Sequence, residues 1–193
     1  MKSVVIVYYS GSGHTALVAE SVARGAQAVP NTKVELVRIA GEQIQGGRWK
    51  DESSLAKLAG ADAIVFGTPT YMGGPAAQFK AFADATGEVW YKRGWSGKLA
   101  AGFTSSGSPS GDKLSTLQYL NLFANQHGML WTSQPEVNSA YFGRSDGVNR
   151  LGSHTGVMAQ NSGAPGQPAV LDSGDAATAE VLGRHVATIA AKL

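Results

Sequence analysis

The chain has no cysteine, so it can form no disulfide, no thiolate metal site and no cysteine nucleophile. It has no apolar run approaching the roughly 18 residues that a membrane-crossing helix needs. Charge is sparse: Asp, Glu, Lys and Arg make up 16% of the residues, the net charge is +2, and the basic residues are scattered. That pattern argues against a dedicated nucleic-acid surface. There is no carboxylate pair or histidine cluster to suggest hydrolysis or a metal centre. No internal repeat is evident. Met1-Lys2-Ser3 leads at once into a strand-like run, which leaves no room for a signal peptide. The expectation is a soluble, cytoplasmic protein.

What is present is a regular alternation of patterns. The 193 residues, 43% of them hydrophobic, suffice for one well-buried core and are expected to form one domain, 1–193. Residues 3–9 read as a buried strand and 14–29 as a helix with Leu17, Val18, Val22, Ala26 and Val29 roughly on one side. Residues 33–39 read as a strand near a sheet edge, followed by a polar connection over 40–51 and a short helix near 52–59. A strand over 62–67 precedes a helix over 75–85, with Pro75 suited to its first turn. A strand over 98–105 precedes a helix over 111–127. A short fifth strand is expected within 129–137, interrupted at Pro135; 140–174 is irregular and rich in Gly, Ser and Asn; 175–192 is the last helix. Such alternation implies a parallel sheet covered on both faces. Five strands and five helices predict a flavodoxin-like, doubly wound, three-layer α/β/α arrangement.

Ligands of such sheets sit beyond the carboxyl ends of the strands. Three unusual loops end there. The first, Ser10-Gly11-Ser12-Gly13-His14-Thr15, lies between the first strand and its helix. Backbone N–H groups and the helix dipole converge at that place and favour an anion. Three hydroxyls add neutral donors, and the turn has no Lys. This suits a terminal phosphate held by many hydrogen bonds. The second loop, Thr68-Pro69-Thr70-Tyr71-Met72-Gly73-Gly74-Pro75, offers donors and flat or polarisable contacts to a planar ring. The third, Thr104-Ser105-Ser106-Gly107-Ser108-Pro109-Ser110-Gly111, offers donors to ring carbonyls and a ring nitrogen. Each alone is an ordinary turn or connector. Together, at three ligand-facing strand ends, they describe a mononucleotide site.

Tyr9-Ser10-x-x-Gly13-His14-Thr15, Thr68-Pro69-Thr70-Tyr71-Met72-Gly73, Thr86-Gly87-x-x-Trp90, Gly97-Lys98-x-Ala100, Thr104-Ser105-Ser106-Gly107 and His127-Gly128-Met129 occur in this order. The set resembles the WrbA-type NAD(P)H:quinone oxidoreductases, FMN proteins of the flavodoxin-like superfamily. The likeness spans residues 3 to about 131 and the terminal helix. It implies an enzyme that passes two electrons from NAD(P)H to a quinone through FMN, as a homodimer or homotetramer. It implies that Ser10, Gly11, Ser12, Gly13, His14 and Thr15 hold the FMN phosphate, with Ser12 also on the substrate side. Pro69, Thr70, Tyr71, Met72 and Gly73 would border the isoalloxazine ring. Ser105, Ser106, Gly107, Ser108, Pro109 and Ser110 would line its pyrimidine edge. Trp90 would wall the space where nicotinamide and quinone alternate, and His127 would contact the flavin. Gln126 stands where the family usually has a second histidine, and Pro109 where it is glycine-rich. No side chain is expected to act as acid or base, because the cofactor carries the chemistry.

Other readings stay open on the residues alone. Trp90, with Tyr91, Arg93 and Trp95, also fits an aromatic staple or subunit contact, and His127 also fits a helix cap. Gly11-x-Gly13-x-x-Ala16 matches a relaxed dinucleotide fingerprint, with Arg38 near the place of its second-strand partner and so an NADP reading. A flavodoxin-type electron carrier and a regulatory module that uses FMN only structurally are the remaining alternatives. Carriers tend to be strongly acidic, unlike this chain.

Overall fold

Val4, Val5, Ile6 and Val7 are β-branched and fully buried, and they form the centre of β1, Lys2–Tyr8. The computed structural model describes residues 1–163 and 166–193. After β1 come α1 (His14–Gln27), β2 (Thr32–Arg38), the small hairpin of β3 (Ile44–Gln45) and β4 (Arg48–Trp49), and α2 (Glu52–Ala59). Then follow β5 (Ala63–Tyr71), β6 (Gly74–Pro75), α3 (Ala77–Ala85), the single turn α4 (Gly87–Tyr91) and β7 (Leu99–Ser106). The chain closes with α5 (Lys113–Gln126), β8 (Leu130–Trp131), β9 (Val157–Ser162), β10 (Val170–Leu171) and α6 (Ser173–Ala190).

The sheet runs β2-β1-β5-β7-β9-β10, and β8 also pairs with β7. All pairs among β2, β1, β5, β7, β8 and β9 are parallel; β10 is antiparallel to β9. Because successive strand residues face opposite ways, β1 feeds two cores. Val4, Ile6 and Tyr8 pack toward α1 and α6, with Val18, Leu182 and Val186. Val5 and Val7 belong to the opposite core, with Phe66, Phe79, Phe82, Trp95 and Phe123. This is the expected flavodoxin-like α/β arrangement. On the first side the helices touch backbone to backbone: a Cβ on Gly183 would lie 1.9 Å from the Val22 carbonyl oxygen. Among the described residues no helix is long and apolar enough to cross a membrane.

Four expectations need correction. The strand expected within 129–137 is only Leu130–Trp131, which pairs with Leu99 and Ala100 at the start of β7. Pro135 lacks the N–H that a continuing ladder requires, and the chain leaves the sheet. The far half of the same edge is filled by β9, in which Val157 pairs with Phe103. The fifth strand position is therefore built from two segments, and 140–174 is not wholly irregular. Pro75 does not open a helix; it pairs with Thr70 in a short hairpin, and α3 begins at Ala77. The strand expected over 62–67 continues to Tyr71. Finally, α5 begins at Lys113, because Gly111 and Asp112 are both left-handed (φ 51° each) and cannot start a right-handed helix.

Candidate active site

The registers of β1, β5 and β7 bring the three loops to one edge. Tyr8 lies beside Gly67, and Thr68 and Pro69 lie beside Thr104 and Ser105. In the first loop Gly13 is left-handed (φ 95°) and its carbonyl accepts from the Ala16 and Leu17 amides at 3.1 and 3.2 Å. Among the described residues, the amides of Gly11, Ser12 and Gly13 have no acceptor within the chain. The Ser10 hydroxyl oxygen accepts from the Ala16 amide at 3.2 Å, which leaves its proton free to donate. Arg38, at the end of β2, holds the turn from behind by donating to the Ser10 carbonyl at 3.2 Å. The result is an uncommitted donor cradle at a helix N-terminus, suited to a phosphate.

His14 is tied down rather than presented. Its Nε2 is 3.0 Å from the Ser162 carbonyl oxygen on β9, which can only accept, so Nε2 carries a proton. Its Nδ1 is 3.1 Å from the Ser12 hydroxyl. Thr15 is buried, with its hydroxyl 3.0 Å from that of Ser105. The first and third loops are thus joined directly.

The second loop is a tight hairpin. Thr70 pairs with Pro75 and Tyr71 with Gly74, leaving Met72 and Gly73 as the turn, both left-handed (φ 47° and 78°). Positive φ at both central residues is what a type I′ hairpin turn requires. A methionine there is uncommon, and its side chain is fully exposed. Tyr71 is half-exposed, and its hydroxyl reaches over Gly11: a Cβ on Gly11 would stand 2.5 Å from Tyr71 Oη. Burial of the Tyr71 phenol raises its pKa, and neighbouring Tyr9 adds to this. Thr70 does not present its side chain to a ring. Its hydroxyl lies 2.8 Å from both the Thr104 and Thr116 hydroxyls, in a buried threonine cluster beneath the loops. Pro69 lies on buried β5, beside Ser105.

In the third loop Ser106 Oγ is buried with no partner among the described residues, and Gly107 accepts from the Gln160 side chain at 3.2 Å. Ser108, Pro109 and Ser110 turn their carbonyls toward one ammonium, that of Lys113. Sequence reasoning missed Lys113, and it weighed Arg38 only as a dinucleotide partner. No local sequence signal marks Lys113, because its partners are carbonyls of a loop whose left-handed residues Gly111 and Asp112 appear only in the structure.

Trp90 and His127 are not brought to these loops within one chain. Helix α3 starts after the carboxyl end of β5, and the chain next enters β7 at Leu99, beside Ala63 at the opposite end. Trp90 follows α3, just before that entry. His127 ends α5, three residues before Leu130, which also pairs at the start of β7. Thr86 links the two: its carbonyl accepts from the Trp90 amide at 2.9 Å, and its hydroxyl lies 3.0 Å from His127 Nε2. His127 is buried against Trp95, ring centroids 4.5 Å apart. Burial pushes its pKa down to about 4, with Arg93 adding to the effect. Trp90 is half-exposed.

The family described as NADPH-dependent FMN reductase matches residues 1–143, a span that holds all three loops. The chain belongs to this family and is of the WrbA type. A protein named flavodoxin FldP from Pseudomonas aeruginosa is 40% identical over 197 residues, covering 100% of this chain and 99% of its own. A protein named NAD(P)H dehydrogenase (quinone) from Geobacter sulfurreducens is 36% identical over 207 residues, covering 99% and 98%. A crystal structure described as the flavodoxin, WrbA-like protein from Agrobacterium tumefaciens superposes with a TM-score of 0.74 at 41% identity, covering 100% and 99%. The chain is an FMN-dependent oxidoreductase with NAD(P)H as electron donor. The site fits that cofactor: unpaired amides at Gly11–Gly13 and the Ser10 proton match a phosphate, and the half-exposed Tyr71 reaches over Gly11 beside them.

Proposed function

We propose that this chain reduces quinones by two electrons, and that Ser10–Thr15 hold the phosphate of its FMN. The observation that carries the reading is the donor cradle at Gly11–Gly13, with the Tyr71 hydroxyl lying over Gly11. Arg38 keeps the cradle's backbone in place. Tyr71 and Met72 meet the ring, and the backbone of residues 105–110 follows its pyrimidine edge. FMN, when bound, accepts hydride from NAD(P)H and passes two electrons to the acceptor. Residues 1–193 act as one FMN-binding domain, in the cytoplasm.

Trp90 walls the substrate space of a neighbouring copy, because within one chain it lies at the opposite edge of the sheet. The working unit is then a homodimer or homotetramer. The quinone assignment draws support from the relative named NAD(P)H dehydrogenase (quinone). The relative named flavodoxin favours a second reading, a one-electron carrier. The net charge of +2 lacks the acidic field by which carriers steer to basic partners. Anaerobic steady-state kinetics with NAD(P)H and a quinone series decide between them. Turnover with a single merged two-electron potential supports the reductase. Absence of turnover, with two well-separated one-electron potentials, supports the carrier.

A further inference from the structure

Lys113 is fully buried, yet its ammonium has no carboxylate among its hydrogen-bond partners. It donates to the carbonyls of three consecutive residues: Ser108, Pro109 at 3.2 Å and Ser110 at 3.4 Å. The nearby carboxylate, Asp175, is committed elsewhere. It takes a two-pronged bond from Arg150 at 2.8 and 2.9 Å and the Gln160 amide at 2.8 Å. Burying an ammonium on neutral acceptors alone is expensive. Burial by itself therefore does not explain a lysine here.

Its effect on the loop does. Three successive carbonyls turned inward would repel one another without a cation between them. In a trans peptide the carbonyl and the next N–H point opposite ways. The amides of Ser110 and Gly111 therefore point away from the ammonium, and Pro109 has none. Gly111 and Asp112, both left-handed, complete this reversed backbone before α5.

We propose that Lys113 is a positioning residue for the cofactor: it sets the backbone of residues 108–111 and places a fixed positive charge behind the pyrimidine edge of FMN, favouring the reduced form. This rests on the reading that residues 105–110 follow that edge. Reduction adds negative charge to the pyrimidine side of a flavin, and a nearby buried cation stabilises negative charge strongly. Arg150 offsets only one of the two carboxylates, Asp175 and Asp172, so Lys113 balances the remaining negative charge beside the loop.

The test compares wild type, Lys113→Met and Lys113→Arg as FMN-loaded proteins. The oxidised-FMN dissociation constant and the midpoint potential together give the affinity ratio of reduced to oxidised cofactor. In Lys113→Met this ratio is expected to fall about tenfold, or about 30 mV for a two-electron couple. In Lys113→Arg it is expected to return to within about threefold of wild type. A Lys113→Met ratio within twofold of wild type overturns the proposal, whatever its stability or oxidised affinity. Should Lys113→Met not fold, Asp175→Asn removes the opposing charge without touching the loop carbonyls. Its ratio should rise, and an unchanged ratio overturns the proposal. Hydrogen exchange on wild type separates the two readings. Protection of 105–111 by FMN with an unchanged Lys113→Met ratio defeats the Lys113 proposal alone. No protection defeats the placement of the flavin as well.

Discussion

Thr15 and Ser105, ninety positions apart, meet hydroxyl to hydroxyl at 3.0 Å in the buried floor of the candidate site. One of the two must donate to the other, so the pair offers a ligand one proton and not two. The phosphate turn and the ring loop are therefore one unit, whose two halves cannot shift independently.

That relationship sets the first prediction. Ser10→Ala removes an independent donor to a charged group, worth about 1.5–3 kcal/mol, so FMN binding should weaken roughly 10- to 150-fold. Thr15→Ala should weaken it comparably. The double variant Thr15→Ala/Ser105→Ala should cost clearly less than the two single losses added, because the pair shares a proton. Fluorescence titration of FMN into each apoprotein measures this; strict additivity would show that each hydroxyl reaches the phosphate separately.

Trp90 lies at the sheet edge away from the loops, so its substitution should separate chemistry from cofactor binding. Trp90→Ala should hold FMN within a few-fold of wild type while lowering kcat/KM for quinone about tenfold, near 1.4 kcal/mol. Mixed assemblies give a sharper outcome. Trp90→Ala subunits combined with FMN-deficient Ser10→Ala subunits should regain activity, since each supplies what the other lacks. Mixtures no more active than their components would show that Trp90 does not serve a neighbouring site.

The turn at Met72 pits stability against binding. The left-handed backbone costs a methionine about 1 kcal/mol, and glycine avoids that cost but loses a comparable amount of chain entropy. Met72→Gly should therefore leave apoprotein stability within about 1 kcal/mol in urea unfolding, yet weaken FMN severalfold through the lost ring contact. Unchanged FMN affinity would remove Met72 from the ring contacts.

His127 predicts an acid limit. Burial, then Arg93, holds its pKa down to about 4 in the folded protein, against about 6.5 in the unfolded chain. Between these values the unfolded state binds the proton and the folded state does not. Stability should thus fall as pH drops from about 6.5 to about 4, by a few kcal/mol in all, and be unaffected by this group above 7. His127→Gln should flatten that part of the profile. Urea midpoints at pH 7.5 and 5 measure it, and equal slopes in the two proteins would refute the assignment.

Where local chemistry decides, the sequence was readable. The run Val4–Val7, β-branched throughout, reads as a strand buried on both faces, and Ser10–Thr15 reads as a small-residue turn before a helix. Strand–helix alternation then leaves little freedom for the sheet order, so the three loops had to meet at one edge. The cradle followed from these facts, as did the family, whose motifs lie in those loops.

Tertiary structure alone decided the rest. The fifth strand position takes β8 and β9 from segments 27 residues apart, by their first residues, Leu130 and Val157; no local pattern announces that both halves pair with β7. Thr70 reads as a ring contact until the sheet turns its hydroxyl toward Thr104 and Thr116. Trp90 and His127 follow helices that run back along the sheet, so they lie at the edge away from the cradle, a consequence of chain direction and not of composition. Lys113 reads as a surface charge on a helix until the loop before it folds over its ammonium. In each case the deciding contact joins residues distant along the chain, and such contacts exist only once the layers have packed.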